Sequence, residues 1–273
     1  MKNNIIVCPD IHGRKFWKTA QQYKDDVDKI IFLGDYVDPY GFENISVEES
    51  IENFKDIMSF VEHNKDKVIL LLGNHDMPYF SEEYRSFSDY HCRFSWEHKD
   101  EISKIFNDNK DLFNIAYTYD DILFTHAGCV FGWIDNTFGY DYDFETLDVL
   151  VKDLNGLLRS KKGLSSLYNV SVYRGGIDSF GSCIWADIDE TKFDQKLTES
   201  EDYKICHIQT VKQIFGHTLQ AYYSKMRTSF YWGAPIEYKN IKMIDNAHAY
   251  FVNTEEFSIK QINNESDEQI SKE

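Results

Sequence analysis

The sequence predicts an α/β fold organised around a mostly parallel, buried sheet. Three successive segments near its start repeat one plan: an apolar run, a polar loop, then a stretch of helical periodicity. The third apolar run, Val68-Ile69-Leu70-Leu71-Leu72, is continuous rather than alternating, as a strand covered on both faces is. Strands separated by helices of this length pair in parallel.

The first strand is expected over Asn4 to Cys8, followed by the loop "PDIHGR" and a helix from about Lys15 to Tyr23. The second runs from Lys29 to Leu33, followed by "GDYVDPYGFEN" and a helix from about Ser46 to Glu62. Ile51, Phe54, Ile57, Met58 and Val61 fall on one face of that helix, and Ser46 with Glu49 reads as a capping box. The third strand, Lys67 to Leu72, leads into "GNHDMPYF". Residues 78–96 are aromatic and polar without a clear period, and a helix is expected from Glu97 to Asn109. The stretch "LFNIAYTYDDILFTHAG" reads as a hairpin turning at Asp120 and Asp121. A helix follows near Phe144 to Leu158, residues 161–206 read as irregular, and a late strand from Val211 to Phe215 runs into "GHT". Short strands continue to about Ile262. These elements make one domain over 1–262, with an aromatic insert at about 77–112, an irregular insert at about 161–206 and a polar tail over 263–273.

A net charge of −17 argues against a phosphate-tracking surface for duplex nucleic acid. It leaves an anionic substrate open, because a bound metal ion reverses the local sign of a site. No apolar run reaches membrane-spanning length, and no secretory signal pattern opens the chain. The five cysteines lack any C-x-x-C spacing. Reduced thiols and a cytoplasmic location are therefore expected.

In an open α/β sheet, ligands bind beyond the carboxyl ends of the strands. Five strand ends here carry "PDIHG", "GDYVD", "GNHD", "FTHAG" and "FGHT". Caps and turns favour Asp and Asn anyway, so one such loop means little. Five, four of them with His, point to a binuclear metal site of imidazole, carboxylate and amide ligands suited to Zn, Mn or Fe. A bridging Asp35 would let Asp10, His12 and Asp35 hold one cation and Asp35, Asn74, His126 and His217 the other. Two cations roughly 3.5–4 Å apart clamp the attacking and leaving oxygens of an in-line displacement at phosphorus.

The ordered set "DIHG", "GDYVD", "GNHD", "HAG" and "GHT" resembles the calcineurin-like metallophosphoesterases, over Asp10 to roughly Asp245. Within them it looks most like the branch of serine/threonine phosphoprotein phosphatases and diadenosine-tetraphosphatase-like enzymes. The resemblance implies a four-layer α/β/β/α sandwich of two mixed sheets. It also implies phosphoester hydrolysis by a metal-bridging hydroxide, without a phosphoenzyme. Carried over residue by residue, it makes the six donors above metal ligands and His75 the general acid. Asp38 would hold His75 in place and protonated, since a neighbouring carboxylate raises a histidine's pKa. Asp76 would support the ligands from behind.

Two departures stand out. The arginine that follows "GDYVD" in the phosphatases is Pro39 here, so the phosphate grip is expected from Arg174 in "YRGG" first and Arg14 second. The last motif is "GHT" rather than "GHxH", which leaves the first cation one histidine short. The expected activity is a phosphomonoesterase on a phosphoprotein or nucleotide. The alternative is a nucleotide phosphodiesterase or a dinucleoside-polyphosphate pyrophosphohydrolase.

Overall fold

The computed structural model describes residues 5–87, 93–139, 142–197, 207–223 and 230–263. The three early units are present: β1 (Ile5–Cys8) and α1 (Lys18–Gln22), β2 (Lys29–Phe32) and α2 (Val47–Glu62), and β3 (Val68–Leu71). Helix α2 begins at the expected cap. Ser46 accepts the Glu49 amide while the Glu49 carboxylate accepts the Ser46 amide, and the apolar stripe Ile51, Phe54, Ile57, Met58 and Val61 is buried. Helix α1 is shorter than the sequence suggests, because residues 15–20 open with i→i+3 turns rather than helical bonds.

Two single-turn helices, α3 (Met77–Phe80) and α4 (Glu82–Arg85), occupy the aromatic stretch, and α5 (Lys99–Asp108) follows. Strand β4 (Phe113–Asn114) precedes the hairpin β5 (Ala116–Tyr119) and β6 (Ile122–Thr125), which turns at Asp120 and Asp121. Helices α6 (Phe131–Phe138), α7 (Leu147–Gly156), α8 (Lys161–Leu167) and α9 (Ile188–Leu197) come next, then β7 (Lys212–Phe215). The chain finishes with β8 (Ala221–Tyr223), β9 (Phe230–Trp232), β10 (Ile236–Tyr238), β11 (Ile241–Met243), β12 (Tyr250–Asn253) and β13 (Ser258–Gln261). The stretch read as irregular, 161–206, therefore carries α8 and α9, with 198–206 outside the described residues.

Two mixed sheets result. The first has the order β13-β12-β1-β2-β3-β4, with β1 to β4 parallel and β12 and β13 antiparallel. The second has the order β10-β11-β7-β6-β5, parallel through β11, β7 and β6 with an antiparallel strand at each edge. Side-chain alternation builds the layers. Ile5, Val7, Ile31, Leu33 and Leu71 meet Ile122, Phe124, Ile214 and Ile244 between the sheets. Ile6, Cys8, Ile30, Phe32, Leu70 and Leu72 turn the other way, into the core that holds Phe54 and Ile57 of α2. On the far face, Phe215 and Met243 pack with Ile188 of α9. Helix, sheet, sheet and helix stack as the four expected layers.

Candidate metal centre

The site forms where both sheets release their strands. The loops after β1, β2 and β3 bring Asp10 and His12, then Asp35 and Asp38, then Asn74, His75 and Asp76. The second sheet adds His126 after β6 and His217 after β7. All of these side chains are buried. Four of them, His12, Asp35, Asp38 and His217, sit at positive φ, between 44° and 69°. Non-glycine residues held there cluster at functional sites, where surrounding packing offsets the strain. Glycines next to them leave room for the donors: a Cβ at Gly73 would overlap Asp35 Oδ1, and one at Gly216 would overlap Asp10 Oδ1.

The imidazole tautomers are set by carbonyls. His12 Nδ1 lies 3.0 Å from the Val37 carbonyl, and His126 Nδ1 lies 3.0 Å from the Leu33 carbonyl. Each Nδ1 is thus the N–H donor, and each Nε2 offers a lone pair. Asp35 Oδ2 lies 3.4 Å from both His12 Nε2 and His126 Nε2. Around His126 Nε2 also gather Asn74 Oδ1 at 2.9 Å and His217 Nδ1 at 3.2 Å. With a carboxylate oxygen, an amide oxygen and an imidazole lone pair this close, the natural occupant of the centre is a cation. The donor set fits divalent metal ions.

Two groups of ligand atoms lie within 4.8 Å of one another: His12, Asp35 and His75, and Asp10, Asp35 and His126. Asp35 belongs to both, as a bridging carboxylate does. The grouping differs from the expected one in that Asp10 sits with His126, and His12 with His75. The Asp10 carboxylate is oriented from behind by the His217 amide, at 3.0 and 3.1 Å to its two oxygens.

His75 and Asp38 meet as the sequence suggests, with Nδ1 3.0 Å from Asp38 Oδ2, and the Tyr79 hydroxyl donates to Asp38 Oδ1 at 2.6 Å. Their charge state departs from expectation. Burial pulls the His75 imidazole down to about 4, and burial pushes the Asp38 carboxyl up to about 7. Asp38 meets the imidazole directly, while burial disfavours the charged form of both groups because each loses its hydration. Burial likewise lowers His12 and His217, which favours their neutral form, and raises Asp35 to about 7. Asp76, fully buried, accepts the amides of Asp35 (2.6 Å), Gly73 (2.8 Å) and Tyr36 (2.9 Å), and so ties the second loop to the third.

The arginines are placed differently from one another. Arg14 is buried, donating to Glu43 at 2.8 Å and to the Asp10 carbonyl at 3.1 Å, beneath the rings of Tyr40 and Trp232. Arg174 lies at the rim, 3.0 Å from Asp187, with Nη2 on the His217 carbonyl and the Thr218 hydroxyl. Trp185 is core, packed edge-on to His217 and bonded to the Tyr84 hydroxyl.

Two residues were not singled out from sequence. Asp245, after β11, is buried beside Arg14 at 3.9 Å; burial and the nearby Asp10 carboxylate raise its pKa strongly. Arg93, from the aromatic insert, lies over the Tyr40 ring at 3.7 Å and donates to the Asp38 carbonyl. Neither carries a local pattern that would mark it; strand β11 followed by an acid was the one available signal for Asp245.

No helix among the described residues is long and apolar enough to cross a membrane. A metallophosphoesterase structure from Sphaerobacter thermophilus aligns at 13% identity over 97% of this chain and 91% of that one, with a TM-score of 0.37. The family model for the calcineurin-like phosphoesterase domain matches residues 4–221, which contain every strand-end donor described above. The chain belongs to the calcineurin-like phosphoesterases, whose substrates are phosphoesters, and its strand ends bring together side chains that could hold a metal ion.

Proposed function

We propose that the protein is a dimetal phosphoester hydrolase that favours phosphomonoesters. The observation that carries this reading is Asp35 Oδ2 standing 3.4 Å from the lone-pair nitrogens of both His12 and His126, a carboxylate poised between two sites. Asp10, His12 and Asp35 would hold one ion, and Asp35, Asn74, His126 and His217 the other. When bound, such ions supply Lewis acidity toward the phosphoryl oxygens and a water that ionises near neutral pH. The chain's own residues do the rest. His75 is the proton donor to the leaving oxygen, with Asp38 and Tyr79 fixing its ring. An anionic phosphoryl group beside the imidazole favours its protonated form, which offsets the effect of burial. Arg174, at the rim, braces the loop that carries His217 through the His217 carbonyl and the Thr218 hydroxyl.

The test is a hydrolysis screen with chain stripped by chelator and reloaded with Mn, Fe or Zn. Phosphopeptides, mononucleotides, cyclic nucleotides and dinucleoside polyphosphates are compared with simple aryl mono- and diesters. Faster turnover of monoesters supports the reading. Preference for diesters or dinucleoside polyphosphates moves the assignment to the nucleotide phosphodiesterase alternative, and inactivity with every metal removes both.

A further inference from the structure

We infer that Arg93 is the residue that grips the substrate's phosphoryl oxygens, an inference that rests on the phosphoester-hydrolase reading of the site. A phosphoryl group enters a centre walled by Asp10, Asp35, Asp38 and Asp245, in a chain of net charge −17, and needs a cation that is not already spent. Arg14 is committed inside the protein. It is 5% exposed, with Nε paired to Glu43 at 2.8 Å and Nη1 on the Asp10 carbonyl, and its remaining Nη2 is buried away from solvent. Arg174 is largely spent, with Asp187 at 3.0 Å and two further acceptors on Nη2.

Arg93 is held in another way. Nε and Nη2 donate to the Asp38 carbonyl at 3.2 and 2.9 Å, and the guanidinium lies over the Tyr40 ring at 3.7 Å. A neutral carbonyl and an aromatic face fix the side chain without neutralising it. Among the described residues, no carboxylate lies within ion-pair distance of it and Nη1 has no hydrogen-bond partner. The residue is exposed, so a ligand can reach it.

Its position relative to the metal ligands is close. Nη2 stands 3.3 Å from His12 Nδ1, and its charge acts on His12, Asp35, Asp38 and His75 alike. Asp38 and Tyr40, which hold the guanidinium, flank Pro39. The insert thus brings a guanidinium to the loop from outside, at the point where the loop's own sequence has a proline.

The test uses the full chain loaded with Mn²⁺, and inorganic phosphate as the probe. Titration calorimetry of phosphate is run on wild type, Arg93→Ala and Arg93→Lys, beside steady-state kinetics on an aryl phosphomonoester. Loss of a charge-assisted fork is expected to weaken phosphate binding about 10- to 100-fold in Arg93→Ala, with KM rising in parallel. Arg93→Lys should recover only part of the loss, because an ammonium cannot bind two oxygens in a fork. Metal content and thermal midpoint should stay at wild-type values in both variants. Phosphate affinity within twofold of wild type in Arg93→Ala overturns the inference. So does an equal weakening in Arg93→Lys and Arg93→Ala that is accompanied by lost metal. A wild type that binds phosphate but hydrolyses nothing defeats the hydrolase reading alone, since the binding arm still reports on Arg93.

Discussion

The carboxylate of Asp76 takes the backbone amide of Asp35 at 2.6 Å, so the aspartate common to both candidate ligand groups is aimed by its main chain from the loop of the neighbouring strand. Two more amides, from Gly73 and Tyr36, end on the same side chain. Asp76→Ala would strand three buried donors. We expect it to lower unfolding stability by about 3–5 kcal/mol, read by urea denaturation, since an amide orphaned away from water costs about 1–3 kcal/mol. Asp76→Asn should lie between, and a loss below 1 kcal/mol in Asp76→Ala would show that the loops are held elsewhere.

Gly73 and Gly216 face donor oxygens that leave no space for a methyl group. Gly73→Ala is expected to displace the Asp35 carboxylate, and Gly216→Ala that of Asp10. Elemental analysis should find bound metal reduced in both, with turnover down at least ~100-fold, the scale on which misplaced ligands and supports act. Full metal occupancy in either variant would mean the carboxylates move without consequence.

His75→Ala should keep its metal and lose turnover by at least ~100-fold, as removal of a general acid does. Asp38→Asn should lose less, because the amide side chain, still held by the Tyr79 hydroxyl, stays beside the ring. The split matters: turnover equal to wild type in His75→Ala would take the proton-donor role away from that residue.

Stability of the metal-free chain should depend on pH in a stated direction. The His75 pKa lies near 4 when folded against an ordinary 6.5, so its contribution is lost as pH falls from 6.5 toward 4. Asp35 and Asp38 lie near 7 against an ordinary 3.8, so theirs is lost as pH rises from about 4 through 7. Above pH 6.5 only the carboxylate trend remains. The thermal midpoint in chelator should therefore drop between pH 6.5 and 8 and recover when Mn²⁺ is added. Metal binding near pH 6.5 should also release protons, measurable as a buffer-dependent binding enthalpy. A midpoint that climbs with pH in chelator would contradict the burial of these acids.

Much of this was legible in the sequence, and the reason is local. Strands β1, β2 and β3 are covered on both faces, so their side chains are apolar without interruption, and the polar donors begin where each run stops. Helix α2 announces itself through Ser46, Glu49 and a clean stripe. Helix α9 does not, because the face it buries is polar. Glu190 bonds the Ser171 hydroxyl and the Gly181 amide, and Gln195 bonds the Gln209 carbonyl, so no apolar period marks the helix. Arg93 was invisible for a different reason: what makes it distinctive is the ring and carbonyl it rests on, 53 and 55 positions earlier in the chain. The downward pull of burial on His75 is not legible because a sequence shows the neighbouring acid and not the loss of water around both.

The bond from the His217 amide to the Asp10 carboxylate spans 207 positions. Among the described residues, the His217 amide is the hydrogen-bond donor to the Asp10 carboxylate, and it is added to the chain only after β7. A fragment cut short before that strand is therefore expected to trap ions poorly, whatever motifs it displays.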